Sequence, residues 1–144
     1  MENNPSLVLV EQLASTSNAL RKRLIQKFRS HGLDITPEQY GVLTLISEHE
    51  KMNQDAIAKG VGRDKTTLSR VIKSMEQNKL VTRSKDKKDG RGLVVELTSN
   101  GSEALEQLKR ISFETKSGAT KGVFDAHLNI ALEVLRTIDK NLNL

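Results

Sequence analysis

Thr66, Ser69, Arg70 and Lys73 sit within one short stretch between Asp64 and Asn78. At about 100° per residue in a helix, these four and Gln77 share one arc, and Leu68, Val71, Ile72 and Met75 share the opposite one. The first arc carries hydroxyls, an amide, a guanidinium and an ammonium; the second is built for a core. Such a face can donate hydrogen bonds and neutralise negative charge, but it pairs no nucleophile with a base. Farther along, the turn Lys85-Asp86-Lys87-Lys88-Asp89-Gly90-Arg91-Gly92 adds four more cations. A helix face and a projecting loop of one charge sign suit a polyanion. Duplex DNA has a major groove wide enough to admit such a helix.

Charge along the chain agrees. Between Lys51 and Arg91 there are 12 Lys/Arg and 5 Asp/Glu, whereas the rest of the 144 residues holds 11 basic and 13 acidic side chains. The net charge of +5 is therefore concentrated in the centre. Cysteine is absent, which excludes a disulfide framework, thiolate metal sites and a cysteine redox sensor. There is no phosphate-cradling glycine loop and no nucleophile with a histidine at a motif spacing, so no enzyme is expected. His31, His49 and His127 are scattered, and although Glu48 and Glu50 flank His49, neither a metal site nor a cofactor is expected. The longest apolar run falls far short of the roughly 20 residues of a membrane span. No signal peptide is recognisable, and the expected location is cytoplasmic with no membrane partner.

Several elements must position the central stretch. Val10, Leu13, Ser17, Leu20, Leu24 and Phe28 mark a long helix over about residues 6–30, with Pro5 just ahead of it and Gly32 ending it. Thr36, Pro37 and Gln39 predict a capping box opening a second helix to about His49, with Ile35 and Tyr40 as its staple. Asn53 caps a short helix ending near Gly60-Val61-Gly62, and Asp64 caps the helix of the opening paragraph, completing a helix-turn-helix. The short helix's start, at Asn53 and Gln54, can offer amides to a phosphate. Val81–Ser84 and Leu93–Leu97 alternate as two strands around the basic turn, which makes a two-stranded wing. Thr98 caps a further helix to about Lys116, with Leu105, Leu108 and Ile111 or Ser112 inward. A break over 117–122 leads to a last helix from Val123 to about Asn141, carrying Phe124, Leu128, Ala131, Leu135, Ile138 and Leu142. That long terminal stripe suits contact with a second copy of the chain.

Three strings together resemble one family: D-K-T-T-L-S-R-V-I-K-S-M-E over 64–76, N-K-L-V over 78–81, and D-G-R-G-L-V-V-E-L-T-S-N-G over 89–101. The last contains an Asp-x-Arg wing, an apolar strand, Leu-Thr, and a glycine three residues after the threonine. T-P-E-Q-Y-G-V-L-T-L-I over 36–46 adds to the match. The chain resembles the multiple-antibiotic-resistance regulator (MarR) family of winged helix-turn-helix transcription factors over nearly its whole length. That implies a mainly α (α+β) fold and a single domain over 1–144. A winged DNA-binding part would cover about 35–98, with dimerisation helices at about 6–31 and 99–142. It also implies a homodimeric repressor of a palindromic operator, released by a small phenolic or apolar anionic effector in a crevice between the dimerisation helices and the winged part.

Carried over by position, Thr66, Thr67, Ser69, Arg70 and Lys73 would face the major groove and Arg91 the minor groove, with Asp89 structuring the wing. Arginine suits guanine or a narrow minor groove, while Lys65, Lys87 and Lys88 suit phosphates, as do Asn53 and Gln54. Asp64 and Asp89 are better suited to capping and a wing ion pair than to base contact. Lys79 stands where the family usually has a glycine. The alternative function is a winged-helix module that binds protein or nucleic acid without sensing a ligand. Single-strand binding would call for aromatic platforms, and Phe28, Tyr40, Phe113 and Phe124 all lie outside 53–101.

Overall fold

The computed structural model describes residues 4–88 and 90–143. In chain order the elements are α1 (Pro5–Ser30), α2 (Pro37–Ser47), β1 (Lys51–Asn53), α3 (Gln54–Val61), α4 (Lys65–Gln77), β2 (Val81–Lys85), β3 (Leu93–Leu97), α5 (Ser99–Ala119) and α6 (Asp125–Leu142). The winged helix-turn-helix occupies α2 to β3, and long helices flank it. Asp89, expected to structure the wing, lies outside the described residues.

Local chemistry sets most boundaries. Pro5 is the first residue of α1 rather than the residue ahead of it, because Asn4 accepts the Ser6 amide at 3.0 Å and serves as the cap. Both arms of the predicted capping box on α2 are made: the Gln39 amide donates to Thr36 Oγ1 at 3.2 Å, and the Thr36 amide donates to Gln39 Oε1 at 3.1 Å. Tyr40 meets Phe28 edge to face with ring centroids 5.9 Å apart, which seats α2 on α1. Helix α2 stops at Ser47, two residues early, because the chain turns through Glu50 at φ 60° into β1.

Strand β1 is a departure from the expected two strands. It pairs antiparallel with β3, Met52 opposite Val95, so the sheet has three strands in the order β1-β3-β2. The wing hairpin itself is as expected, β2 and β3 pairing from Val81 opposite Leu97 to Lys85 opposite Leu93. Between α4 and β2, Lys79 takes the left-handed conformation at φ 58°, and the Leu80 amide reaches back to the Met75 carbonyl at 2.9 Å. A residue other than glycine thus makes the left-handed helix stop. Helix α5 runs three residues beyond Lys116, through Gly118, before the chain breaks at 120–122. Helix α6 starts two residues later than expected, after Phe124, which makes no side-chain cap.

The core lies at the head of the molecule. Phe28, Leu43, Ile46, Ile57, Leu68, Ile72, Met75 and Leu108 are fully buried, joined by Val42, Val81 and Val95. Helix α1 contributes through Leu24 and Phe28 near its C-terminal end, and α5 through Ala104, Leu105, Leu108 and Ile111. Beyond those turns the two helices run clear of the core, and α6 has no buried residue. Leu7, Val8, Leu9 and Val10 on α1, and Ile130, Leu132, Val134, Leu135 and Leu142 on α6, are exposed. Among the described residues, no helix is long and apolar enough to cross a membrane.

Candidate nucleic-acid interface

Helix α4 is set in place by its apolar face. Leu68, Ile72 and Met75 are buried and Val71 is half-buried against the same core, which turns the opposite arc outward. Thr66, Arg70 and Lys73 are exposed there, with Ser69 half-buried beside them. Arg70 and Lys73 make no ion pair among the described residues, so both charges remain available to a ligand.

Asp64 fixes the start of α4. Its carboxylate accepts the Thr67 amide at 2.8 Å on one oxygen and the Thr67 hydroxyl at 2.7 Å on the other. These two bonds hold its carboxyl below the usual aspartate range, the backbone bond contributing most. The hydroxyl of Thr67 is therefore engaged with the cap. Its side chain, exposed at the edge of the outer arc, also borders the crevice behind α4. The far end is fixed as well. Arg83 on β2 donates to Glu76 on α4 at 3.1 and 3.3 Å, tying the wing to the last turn of the helix and lowering the Glu76 carboxyl.

Asn53, Gln54 and Lys65 form a neighbouring edge. Asn53 Oδ1 accepts the Asp55 amide at 2.8 Å as the cap of α3, and Lys65 Nζ lies 3.3 Å from Asp55 Oδ2. Gln54 Oε1 is enclosed and has no hydrogen-bond partner among the described residues. The wing residues are separate from this edge: Lys87, Lys88 and Arg91 are exposed at the hairpin's end, where the Lys88 amide donates to Asp86 Oδ1 at 2.9 Å. Among the described residues, no three His, Asp or Glu side chains converge as metal ligands.

Behind α4 opens a crevice of about 960 Å³ between α1, α2 and the α3–α4 pair. Leu20, Leu24, Tyr40, Leu45, Val61 and Val71 line it, with Glu38, Glu48, Arg63 and Lys116 as its charged groups. Its residues come from five helices, the C-cap of α2 and the turn between α3 and α4, and no spacing in the chain could have gathered them. Glu38 is the best-partnered of them. Its Oε1 accepts Arg21 at 2.5 Å and lies 3.8 Å from an Arg63 nitrogen. Partial burial raises this carboxyl, and the hydrogen bond and charge of Arg21 outweigh that, leaving it below the usual range. Arg63 has one sequence signal, its place beside the cap of the outward-facing helix.

A profile of the MarR family matches residues 35–93. Over 137 residues the chain is 29% identical to the HTH-type transcriptional regulator SarZ of Staphylococcus saprophyticus, covering 94% of this chain and 90% of that one. SarZ of Staphylococcus aureus is 31% identical over 106 residues, 72% of each chain. The fold is shared with the crystal structure of an S. aureus MepR–DNA complex, at a TM-score of 0.84 and 23% identity over 92% of this chain and 96% of that one. The profile falls on the helix-turn-helix and wing, and the identity extends into the flanking helices: the chain belongs to the MarR family of winged-helix transcriptional regulators.

Proposed function

We propose that the chain is a homodimeric repressor that binds a palindromic operator in double-stranded DNA. The observation that carries this reading is the outward face of α4, where Thr66, Arg70 and Lys73 stand exposed and neither cation has an ion-pair partner among the described residues. Entering the major groove, Arg70 and Lys73 meet base edges or phosphates, and the short hydroxyls of Thr66 and Ser69 allow close approach. Asn53, Gln54 and Lys65 take the flanking phosphates. Lys87 and Lys88 do the same from the wing, whose Arg91 enters the minor groove. Thr67 acts at one remove, by holding the cap.

Two heads are needed because one recognition helix reads only half a site. The exposed apolar residues of α6 and of the start of α1 supply a contact surface for the second copy. A small phenolic or apolar anion in the crevice behind α4 would favour a dimer whose recognition helices are wrongly spaced, and so release the operator.

The test is a titration of the full chain on a site selected from a random pool, at several salt concentrations. Affinity is expected to fall steeply with salt, and the selected site is expected to be palindromic and to outcompete random duplex. Equal affinity for every duplex would overturn sequence-specific regulation.

A further inference from the structure

We propose that Glu38 is a positioning residue that fixes the angle between the dimerisation arm and the recognition helix; this rests on the DNA-binding reading above. One carboxylate oxygen serves three segments. Glu38 is the second residue of α2, its Oε1 accepts Arg21 from α1 at 2.5 Å, and Arg63 approaches the same oxygen to 3.8 Å.

Arg63 occupies the turn between α3 and α4. Its backbone amide donates to the Ala58 carbonyl at 3.0 Å, directly after Gly62 has taken the left-handed conformation at φ 67°. The next residue, Asp64, caps α4. Because Arg63 is anchored to α3 by that bond and precedes the cap directly, a shift of Arg63 is passed to the start of the recognition helix. Arg21 lies on the other side, on the helix whose apolar start faces the second copy. Glu38 thus ties the arm to the base of the reading head.

These ion pairs are partly exposed, with side-chain exposures of 43% for Arg21, 34% for Glu38 and 52% for Arg63. Pairs of that kind add little to stability. Their effect lies in orientation, since two recognition helices must reach grooves about one helical turn, roughly 34 Å, apart. Removing the Glu38 charge leaves Arg21 and Arg63 as like charges on either side of the joint. Among the described residues, the other charged groups on this crevice, Glu48 and Lys116, form no ion pair with either arginine.

The sign of the outcome separates positioning from simple charge. Glu38→Gln makes each subunit more positive, which by charge alone tightens binding to every duplex. Loss of positioning instead weakens the selected palindromic site and spares random duplex. We would titrate the full-length wild type, Glu38→Gln and Arg21→Gln on both DNAs at one salt concentration, with circular dichroism melting as a check on folding. The ratio of selected-site to random-duplex affinity is expected to fall about 3- to 30-fold in both variants, the size of coupling carried by residues outside a binding site. An unchanged ratio in folded Glu38→Gln overturns the proposal; if that variant does not fold, an unchanged ratio in Arg21→Gln does so. A wild type that prefers no site overturns the DNA reading itself, and positioning with it.

Discussion

Gly101 lies so close to Leu80 that a methyl group added at its α-carbon would sit 2.0 Å from the Leu80 carbonyl oxygen. That same carbonyl accepts the Thr98 amide at 3.0 Å, and the Thr98 hydroxyl donates to the Lys79 carbonyl at 2.5 Å. The start of α5 is thus locked to the α4–β2 joint, with no room at the contact for a side chain. Gly101→Ala is expected to cost about 2–4 kcal/mol, because backbone rather than a flexible side chain must yield. Urea unfolding measures it, and a loss below about 0.5 kcal/mol, the ordinary surface range, would contradict the packing account.

Lys79 carries a conformation that favours glycine. The left-handed backbone costs an L-residue roughly 1–2 kcal/mol, and glycine gives back part of that gain through the freer unfolded chain. Lys79→Gly is expected to raise stability modestly, by about 0.5–1 kcal/mol. A rise in the denaturation midpoint with an unchanged slope would show it; a fall would mean that Lys79 has another role in the native state.

Acid should loosen the start of α4. The carboxyl of Asp64 is lowered in the folded protein by the Thr67 amide and hydroxyl. Its contribution is therefore complete above the ordinary aspartate pKa of about 3.9 and is lost as pH falls through the lower folded value. Asp64→Asn keeps an acceptor for the Thr67 amide and removes the titration. Glu38 and Glu76 are lowered too, so the wild type loses further stability in acid through them. The expected result is a shallower decline of stability below about pH 4 in Asp64→Asn than in the wild type, followed by denaturation across pH. Parallel curves would remove Asp64 from the account.

Arg70 and Lys87 should fail differently. Arg70 faces outward from the recognition helix, and Arg70→Ala is expected to cost about 1–3 kcal/mol on the selected site and to relax its sequence preference. Lys87 is on the wing, and Lys87→Ala should weaken all duplexes alike while reducing the salt slope by about one. Competition with base-substituted sites, repeated at several salt concentrations, distinguishes the two. A uniform loss from Arg70→Ala would move that residue from bases to phosphates.

A charge on α6 should separate the subunits without disturbing the head. Leu135 is 40% exposed and α6 buries nothing. Leu135→Asp is expected to shift sedimentation from dimer toward monomer and to leave the head's near-ultraviolet signal from Tyr40 in place. A variant that stays dimeric would place the interface elsewhere.

The parts of this fold legible in the sequence are those fixed by neighbours in the chain. Thr36 with Gln39, Asn53 with Asp55, Asp64 with Thr67 and Thr98 with Gly101 all cap within three residues, and each cap is made as expected. The two faces of α4 followed from periodicity in the same way. Strand β1 was illegible because three residues, two of them polar, show no alternation, and its partner β3 lies some forty positions onward. The crevice was hidden for the same reason, and so was the bond between Arg21 and Glu38, seventeen residues apart. In the candidate site, the outward positions of Thr66, Arg70 and Lys73 could be read directly. That the Thr67 hydroxyl also bonds Asp64, and that its side chain borders the crevice, required the fold.

The core stops partway along α1 and α5, and α6 stands outside it. With no buried residue, and with Val134 and Ile138 only bordering the start of α1, this 18-residue helix is close to the length at which isolated helices are marginal in water, about 12–15 residues even for favourable sequences. On the dimeric reading, concentration then becomes a structural variable. Diluting the protein should unwind its C-terminal segment while the head stays folded, so helical content itself would report the fraction of chains that are paired.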